Sequence, residues 1–207
     1  MQGLYLVTPN WDDTARLLAV TEQALQAGVA LLQYRHKTAG PAQRLEQGAA
    51  LLALCRRYGV RLIINDYTDL CVLLGADGVH VGGTDATVAQ TRAILGPDKI
   101  VGASCYGDMQ RAIDAQAAGA CYVAYGGFYL SRVKQYAVTT SPSILDQARA
   151  VITLPKVVIG GMTPLNARPL VARGADLVAA VSSVYLADDP AAAVAGFNAL
   201  FRRTEIA

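Results

Sequence analysis

The chain has 207 residues, of which 53% are hydrophobic and 16% are charged, and its formal net charge is +2. This length and composition are typical of one ordinary globular domain, so we predict a single domain over residues 1–207. Basic residues form no run longer than the pairs at 56–57 and 202–203, which argues against a nucleic-acid partner and a membrane-surface partner.

The beginning of the chain indicates a cytoplasmic protein. Residues 4–7 (LYLV) are typical of a strand, and neither a basic leader with a long apolar run nor a small-residue cleavage site precedes them. No apolar run approaches the roughly twenty residues that span a bilayer. The cysteines at 55, 71, 105 and 121 lack metal-ligand spacing, so we expect buried free thiols.

Short apolar runs alternate with longer amphipathic stretches along the whole chain, which predicts alternating strands and helices. The predicted strands are residues 4–7, 30–34, 61–65, 78–81, 100–104, 121–125, 156–159 and 177–181. The predicted helices are residues 12–26, 41–57, 66–74, 85–95, 108–118, 141–152, 163–172 and 190–202. Thr163-Pro164 is typical of a helix start, and Gly174 is typical of a helix end.

This alternation determines the predicted fold class. Continuous alternation of strand and helix favours a parallel sheet with helices outside, and eight units can close without leaving sheet edges. We therefore predict an α/β fold with a single (β/α)8 TIM barrel, of near-minimal size because this fold needs roughly 200 residues. An open doubly wound sheet is the less favoured alternative. In such barrels the active site lies at the carboxyl ends of the strands.

The end of the second predicted strand is basic. Gln33, Arg35 and Lys37 alternate with Tyr34 and His36, and a two-residue period sends alternate side chains of an extended chain to the same side. Two cations and one amide therefore point to one spot, which favours binding of a small anion. An exposed strand end with solvated charges is the alternative.

Acidic residues follow the next two strands. Asn65 and Asp66 end the third strand, and Asp85 follows the fourth. Paired carboxylates suit Mg²⁺, which commonly takes one or two of them and fills its other positions with water and substrate phosphate. Each aspartate alone fits a helix N-cap better, and the pair beside Arg35 and Lys37 is what favours a metal site. We interpret His80, at the end of the fourth strand, as a packed or orienting histidine rather than a catalytic base.

Small residues follow the last two strands. Gly160 and Gly161 come after the seventh strand, and Ser182 and Ser183 come after the eighth. Loops at these two places often bind phosphate in barrels of this kind, because glycine lets backbone N–H groups approach the anion. A plain turn is an equal alternative for the two glycines.

Six segments resemble the thiamine-phosphate synthase family in order and spacing: LYLVT (4–8), LQYRHK (32–37), IND (64–66), GVHVG (78–82), IGGM (159–162) and VSS (181–183). The resemblance extends along nearly the whole chain. It implies a transferase of thiamine biosynthesis that condenses 4-amino-2-methyl-5-(diphosphooxymethyl)pyrimidine with 4-methyl-5-(2-phosphooxyethyl)thiazole or its carboxylated form. It also implies that Mg²⁺ assists the loss of pyrophosphate and that the thiazole nitrogen attacks.

The resemblance further implies roles for individual residues. Those implied to bind the pyrimidine diphosphate are Gln33, Arg35, Lys37, Asn65, Ser104 and Lys134. Those implied to bind the thiazole phosphate are Ser131, Arg132, Val133, Gly161, Val181 and Ser182. Asp66 and Asp85 are the implied Mg²⁺ ligands, and the implied catalytic residues that stabilise the leaving group are Arg35, Lys37 and Lys134. The sequence departs from the family pattern at GGTD (82–85) and at Val133, which replaces a hydroxyl residue.

Three other functions remain as alternatives. A thiazole tautomerase of the sister branch shares the barrel, but it is expected to lose the metal and diphosphate residues and to carry a histidine where this chain has Tyr106. A non-catalytic barrel that binds thiamine precursors is supported only by the altered loop at 131–133. An unrelated phosphate-binding isomerase would not need two acidic loops beside a basic strand end. The sequence also leaves room for a homo-oligomer.

Overall fold

Eight parallel strands close into a barrel in which each strand pairs with its neighbours in chain order and the last pairs with the first. The computed structural model describes residues 1–82, 87–130 and 139–202. Within these ranges the strands are β1 (Gly3–Val7), β2 (Leu31–Tyr34), β3 (Arg61–Asn65), β4 (Gly78–Val81), β5 (Ile100–Ser104), β6 (Tyr122–Gly126), β7 (Lys156–Ile159) and β8 (Leu177–Ala180). The predicted (β/α)8 barrel is confirmed, and every strand boundary lies within one residue of its prediction.

At least one helix follows each strand and packs outside the barrel. In the described ranges the helices are α1 (Thr14–Gln26), α2 (Pro41–Tyr58), α3 (Thr68–Leu74), α4 (Val88–Leu95), α5 (Met109–Ala117), α6 (Ser143–Val151), α7 (Pro164–Ala172), α8 (Ser182–Tyr185) and α9 (Pro190–Asn198), followed by a 3-10 turn at Ala199–Phe201. Thr163 caps α7 in a capping box with Asn166, and Gly174 follows its last turn with φ of 101°, so both signals are confirmed. None of these helices has the length and apolar character needed to cross a membrane.

Asp66 is not a helix N-cap, so that alternative was wrong for this residue. The N-cap of α3 is Tyr67, and the N-cap of α4 is Thr87, whose side chain takes part in a capping box. Asp66 precedes α3 in a left-handed conformation with φ of 65°, because the chain turns sharply there before the helix begins. Asp85 lies outside the described residues.

One helix was not predicted. The four-residue helix α8 begins directly after β8, and four residues are too few for a hydrophobic period to be recognised. The last predicted helix, 190–202, is shorter than expected, because α9 ends at Asn198 and a 3-10 turn follows.

Two hydrophobic cores stabilise the barrel. The larger core lies between the strands and the helices and includes Leu17, Leu51 and Phe197, all fully buried. The smaller one, here called the interior core, fills the inside of the barrel with Tyr5, Val7, Leu31, Ile63, Ile100, Tyr122, Ala124, Val157, Leu177 and Ala179. This arrangement is expected where strands are buried on both faces. It leaves the carboxyl ends of the strands available for a site.

The interior core is tight around Tyr122. Gly102 in β5 pairs in register with Tyr122 in β6, and a Cβ at Gly102 would lie 1.9 Å from Cζ of that ring. We expect Gly102→Ala to lower the free energy of unfolding by about 1–3 kcal/mol, the usual cost of overpacking, measured by urea denaturation. The loss should shrink in a Tyr122→Leu background, where the ring is gone. An unchanged unfolding midpoint in the single variant would contradict this packing.

The cysteines are free thiols, as predicted. Cys55, Cys71 and Cys105 are buried, and Cys121 is half-buried. Burial raises the pKa of the Cys71 thiol to about 11 and the pKa of the Cys55 and Cys105 thiols to about 12. These three thiols therefore stay protonated and unreactive at neutral pH.

Candidate active site

A cavity of about 580 Å³ opens at the carboxyl ends of the strands. Its floor is apolar and belongs to the interior core, with Val7, Val157 and Ala179 among the lining residues. The volume lies within the range of small-molecule sites, and the position is that of active sites in (β/α)8 barrels.

Most of the predicted site residues lie together at this cavity. Those that line it are Gln33, Arg35, Lys37, Asn65, Asp66, Ser104, Gly161, Val181 and Ser182. The other five, Asp85, Ser131, Arg132, Val133 and Lys134, lie outside the described residues. The individual roles of all these residues stay predictions.

The basic strand end is held in place by the end of β1. The Arg35 backbone N–H donates to Thr8 Oγ1 at 2.8 Å, and the Thr8 hydroxyl donates to the Arg35 carbonyl at 3.1 Å. The Lys37 backbone N–H donates to Asn10 Oδ1 at 3.2 Å. The chain after β2 is therefore fixed before any ligand binds, which reduces the entropy lost on binding.

Tyr34 and His36, which alternate with Gln33, Arg35 and Lys37, point the other way. The Tyr34 hydroxyl donates to Gln47 Oε1 in α2 at 3.1 Å, and His36 Nδ1 accepts from the Ala39 backbone N–H at 3.1 Å. Both side chains are buried, whereas Arg35 lines the cavity. The alternation predicted from the sequence is confirmed, and Lys37 at the end of the segment is also 42% exposed.

Asp66 places a carboxylate among the cations. Its Oδ2 accepts from Lys37 Nζ and from Asn65 Nδ2, and its side chain is 10% exposed while that of Lys37 is 42% exposed. Because Lys37 is solvated, this ion pair contributes little to stability. Its effect is local, since it holds the ammonium group at the cavity wall.

Asp66 is also the described residue that best suits a magnesium ion. No group of three or more His, Cys, Asp or Glu residues in the described ranges could hold a metal by itself. Mg²⁺ seldom needs such a cage, because it is usually bound by one or two carboxylates together with substrate phosphates. A carboxylate on the wall of a cavity that also carries Arg35 and Lys37 fits this mode of binding.

The opposite rim is built from glycines. Gly160 and Gly161 follow β7 with φ of 117° and 59°. A Cβ at Gly160 would lie 3.0 Å from the Gly127 backbone N, and a Cβ at Gly161 would lie 2.2 Å from the Leu130 carbonyl O. Glycine is therefore required for both the backbone conformation and the close approach of the segment after β6. A plain turn would need glycine only for the backbone conformation, not for the close approach.

The start of α8 completes this rim. Ser182 and Ser183 line the cavity as the first residues of the helix, where backbone N–H groups have no partner within the helix. The Ser183 Oγ is buried and makes no hydrogen bond with the described residues. Donors of this kind suit an anion. Ser183 was noted in the sequence but was not among the predicted binding residues.

Below the cavity, polar side chains cross the interior core. Gln33 Nε2 donates to the Tyr5 hydroxyl, which bonds to the Tyr122 hydroxyl, both at 2.7 Å. His80 bonds through Nδ1 to the Tyr122 hydroxyl at 3.0 Å and through Nε2 to Ser104 Oγ at 2.8 Å. These contacts agree with the packed or orienting histidine predicted at 80. Sequence reasoning missed Tyr122, because only strand register shows that it faces inward.

Three tyrosines near the mouth differ in their surroundings. Tyr106 lines the cavity with φ of 53° and is 41% exposed. Tyr129 also lines it, and its hydroxyl donates to the Asn166 carbonyl at 2.9 Å. Tyr125 is fully buried in the larger core, and its hydroxyl contacts Met109 Sδ at 3.7 Å.

Fold and site together define a (β/α)8 barrel with a cavity between a basic strand end and a glycine-rich rim. The sequence profile described as thiamine monophosphate synthase matches residues 4–184. The chain belongs to this family. The predicted synthase function is thereby confirmed, and it makes the chain a transferase of thiamine biosynthesis.

Relatives and solved structures agree with this membership. The thiamine-phosphate synthase of Janthinobacterium sp. (strain Marseille) is 62% identical over 203 residues, which cover 98% of each chain. That of Thiobacillus denitrificans is 50% identical over 199 residues, 96% of this chain and 94% of the relative. The thiamine phosphate pyrophosphorylase structure from Pyrococcus furiosus superposes with a TM-score of 0.84 at 27% identity, covering 96% of this chain and 95% of the other. A 3-hexulose-6-phosphate synthase structure shares the fold, with a TM-score of 0.73 at 20% identity over 98% of this chain and all of the other.

Proposed function

We propose that the chain joins 4-amino-2-methyl-5-(diphosphooxymethyl)pyrimidine to 4-methyl-5-(2-phosphooxyethyl)thiazole, or to its carboxylated form, in a Mg²⁺-dependent reaction that releases pyrophosphate. The observation that carries this proposal is that one cavity brings Arg35, Lys37 and Asp66 to face the rim at Gly161 and Ser182. Two phosphorylated reactants need two anion sites, and the cavity offers one on each side.

The basic side of the cavity suits the diphosphate. The Arg35 guanidinium can hold two phosphate oxygens in a planar fork, and the Lys37 ammonium adds a point charge. As the bond between the methylene carbon and the diphosphate oxygen breaks, its electron pair leaves with pyrophosphate. Positive groups already in place stabilise that charge in the transition state. Mg²⁺, when bound by Asp66 and Asp85, would supply further positive charge to the same oxygens.

The Lys37–Asp66 pair prepares this side for the reaction. Asp66 accepts from the Lys37 ammonium and from the Asn65 amide, so both donors are oriented before the substrate arrives. Thr8 fixes the Arg35 backbone in the same way. Fixed donors cost no reorganisation while the bond breaks, which favours ionisation over simple binding.

The glycine-rich rim suits the thiazole phosphate. Backbone groups at Gly161 and at the first turn of α8, together with the buried Ser183 hydroxyl, can approach an anion closely. The thiazole nitrogen then supplies the electron pair for the new carbon–nitrogen bond. The apolar floor keeps water from competing for the cationic carbon. No protein nucleophile is required.

Turnover of the purified chain with both precursors tests this function. We expect thiamine phosphate and pyrophosphate to form in equal amounts with Mg²⁺, to stop with EDTA, and to resume when Mg²⁺ is added back in excess. Formation of both products at an unchanged rate with EDTA would show that the reaction does not depend on Mg²⁺. Isomerisation of a thiazole without pyrophosphate release would instead indicate the tautomerase, and absence of any reaction would favour the non-catalytic barrel.

The remaining predictions concern location and assembly. We propose a cytoplasmic location because the sequence has no long apolar run, and no nucleic-acid or membrane partner because it has no long basic run. We also propose that there is room for a homo-oligomer. The assignment of 1–207 to a single domain also stays a prediction.

A further inference from the structure

Five polar side chains from five strands form one continuous hydrogen-bond chain through the barrel. It runs from Gln33 in β2 to Tyr5 in β1, to Tyr122 in β6, to His80 in β4 and to Ser104 in β5. The first four are buried, with exposed fractions of 5%, 1%, 0% and 8%. Both ends, Gln33 and Ser104, line the cavity. The chain therefore joins two predicted substrate contacts beneath the reactants.

The chain has a defined direction. The Gln33 amide N–H donates to the Tyr5 oxygen. One arrangement gives each hydrogen of the hydrogen-bond chain a partner, and in it the single Tyr5 hydrogen goes to the Tyr122 oxygen. The Tyr122 hydrogen then goes to Nδ1 of His80, which leaves the imidazole hydrogen on Nε2 to be donated to Ser104 Oγ. The hydrogen of the Ser104 hydroxyl is then directed to the cavity.

The two tyrosines can maintain this direction at neutral pH. Burial raises the pKa of the Tyr5 and Tyr122 hydroxyls well above their usual value, so each keeps its single hydrogen. Burying an unpaired hydroxyl or imidazole is costly, whereas a chain with one hydrogen for each link satisfies every group. Reversing one of these hydrogen bonds alone would place two hydrogens, or none, between the next pair of side chains. We therefore expect the hydrogen bonds to reverse only together.

We propose that Tyr5, Tyr122 and His80 are positioning residues, which set the Ser104 hydroxyl as a hydrogen-bond donor to a ring nitrogen of the aminopyrimidine. A neutral pyrimidine nitrogen accepts hydrogen bonds, so a hydroxyl that already accepts from His80 matches it. This inference rests on the proposed function and on the pyrimidine contact that the family resemblance implies for Ser104.

The packing around Tyr122 is consistent with a placed hydroxyl and not only with filled space. Interiors of such barrels are usually packed with branched aliphatic residues, which need no partner. Here β5 carries glycine at 102, where the Tyr122 ring lies, and the His80 ring is stacked on that ring at 12° with centroids 5.7 Å apart. The ring and its hydroxyl therefore have one available position.

Steady-state kinetics of Tyr122→Phe test the inference. This substitution removes the hydroxyl and keeps the ring, so it interrupts the hydrogen-bond chain between Tyr5 and His80. We expect KM for the pyrimidine diphosphate to rise about tenfold, as for the loss of one oriented hydrogen bond, with KM for the thiazole phosphate unchanged. Tyr125→Phe is the matched control, because it removes an equally buried hydroxyl from the same strand that contacts Met109 outside the barrel interior. Both KM values should stay at wild type there.

Several outcomes would overturn the inference. They are an unchanged pyrimidine KM in Tyr122→Phe, an equal change in Tyr125→Phe, or a change shared equally by both substrates. Because wild-type turnover is measured alongside, an active wild type with an unaffected Tyr122→Phe rejects the positioning role and leaves the proposed function intact.

The histidine tautomer provides a second test that needs no turnover. The chain has two histidines, so nitrogen-15 NMR of the wild-type protein gives two ring systems, and His80→Asn identifies which is which. We expect neutral His80 with its hydrogen on Nε2. A hydrogen on Nδ1, or on both nitrogens, at neutral pH would overturn the stated direction of the hydrogen-bond chain. A protein that shows the Nε2 tautomer but no turnover would reject the proposed function and leave that direction intact.

Discussion

Replacing Asp66 with asparagine is expected to lower kcat/KM by about 100-fold or more. The change removes the carboxylate that holds Lys37 and that is proposed to bind Mg²⁺, while it keeps the size of the side chain. Each charge-assisted contact contributes roughly 1.5–3 kcal/mol, so losing two of them costs at least about two decades in rate. The Mg²⁺ concentration for half-maximal rate should also rise, which a titration of initial rates would measure.

Asp69→Asn is the matched control for this prediction. Asp69 lies in the first turn of α3, three residues further along, but it is exposed and does not line the cavity. Its replacement should leave both the rate and the Mg²⁺ dependence unchanged. If Asp66→Asn retained wild-type turnover and Mg²⁺ dependence, the assignment of this carboxylate would be wrong even though the family is certain.

Replacing Gly161 with alanine is expected to impair the other half of the site, with KM for the thiazole phosphate raised about tenfold or more. The added Cβ would lie 2.2 Å from the Leu130 carbonyl O, so the segment after β6 must move away from the rim. A shift of that size removes contacts worth at least about 1.4 kcal/mol, or one decade. Kinetics with each substrate varied in turn would show the effect, and KM for the pyrimidine diphosphate should change much less.

Gly59→Ala separates this effect from backbone strain. Gly59 ends α2 with φ of 65°, close to the 59° of Gly161, but a Cβ there would meet nothing within 4 Å. The left-handed conformation costs an alanine about 1–2 kcal/mol, so both variants should have a lower free energy of unfolding and unfold at a lower urea concentration. Only Gly161→Ala should alter the kinetics. Equal KM values in the two variants would indicate that the rim does not hold the thiazole phosphate.

The barrel could be predicted from the sequence because its signal is repeated. The alternation of apolar run and amphipathic stretch occurs eight times, and each occurrence predicts one strand followed by one helix. The strands that begin and end at the predicted residues are β3, β4, β5 and β7. Isolated signals were less informative. The helix α8 has one turn and no period. Asp66 looked like a cap because it precedes a helical stretch, and local spacing shows neither its left-handed φ nor its partner Lys37, 29 residues away.

The candidate site was predictable to a similar degree. Alternation along one strand was enough to place Arg35 and Lys37 together, since it needs no knowledge of the neighbours. The interior chain was not predictable in this way. Tyr122 acquires its role from being level with Gly102 in the next strand and within reach of Tyr5 across the barrel, and both facts depend on register. The residues at 83–86 and 131–138 lie outside the described ranges.

The hydrogen bonds between β8 and β1 have a consequence for when the enzyme becomes active. Leu6 pairs with Ala180, and Val7 pairs with Gln33 on the other side, so the thiazole rim after β8 and the basic strand end after β2 are separated by a single strand. In the proposed function the two reactants therefore meet where the first and last strands of the sheet are joined. In the proposed function both substrate sites are complete only after β8 has paired with β1, so turnover requires the closed barrel.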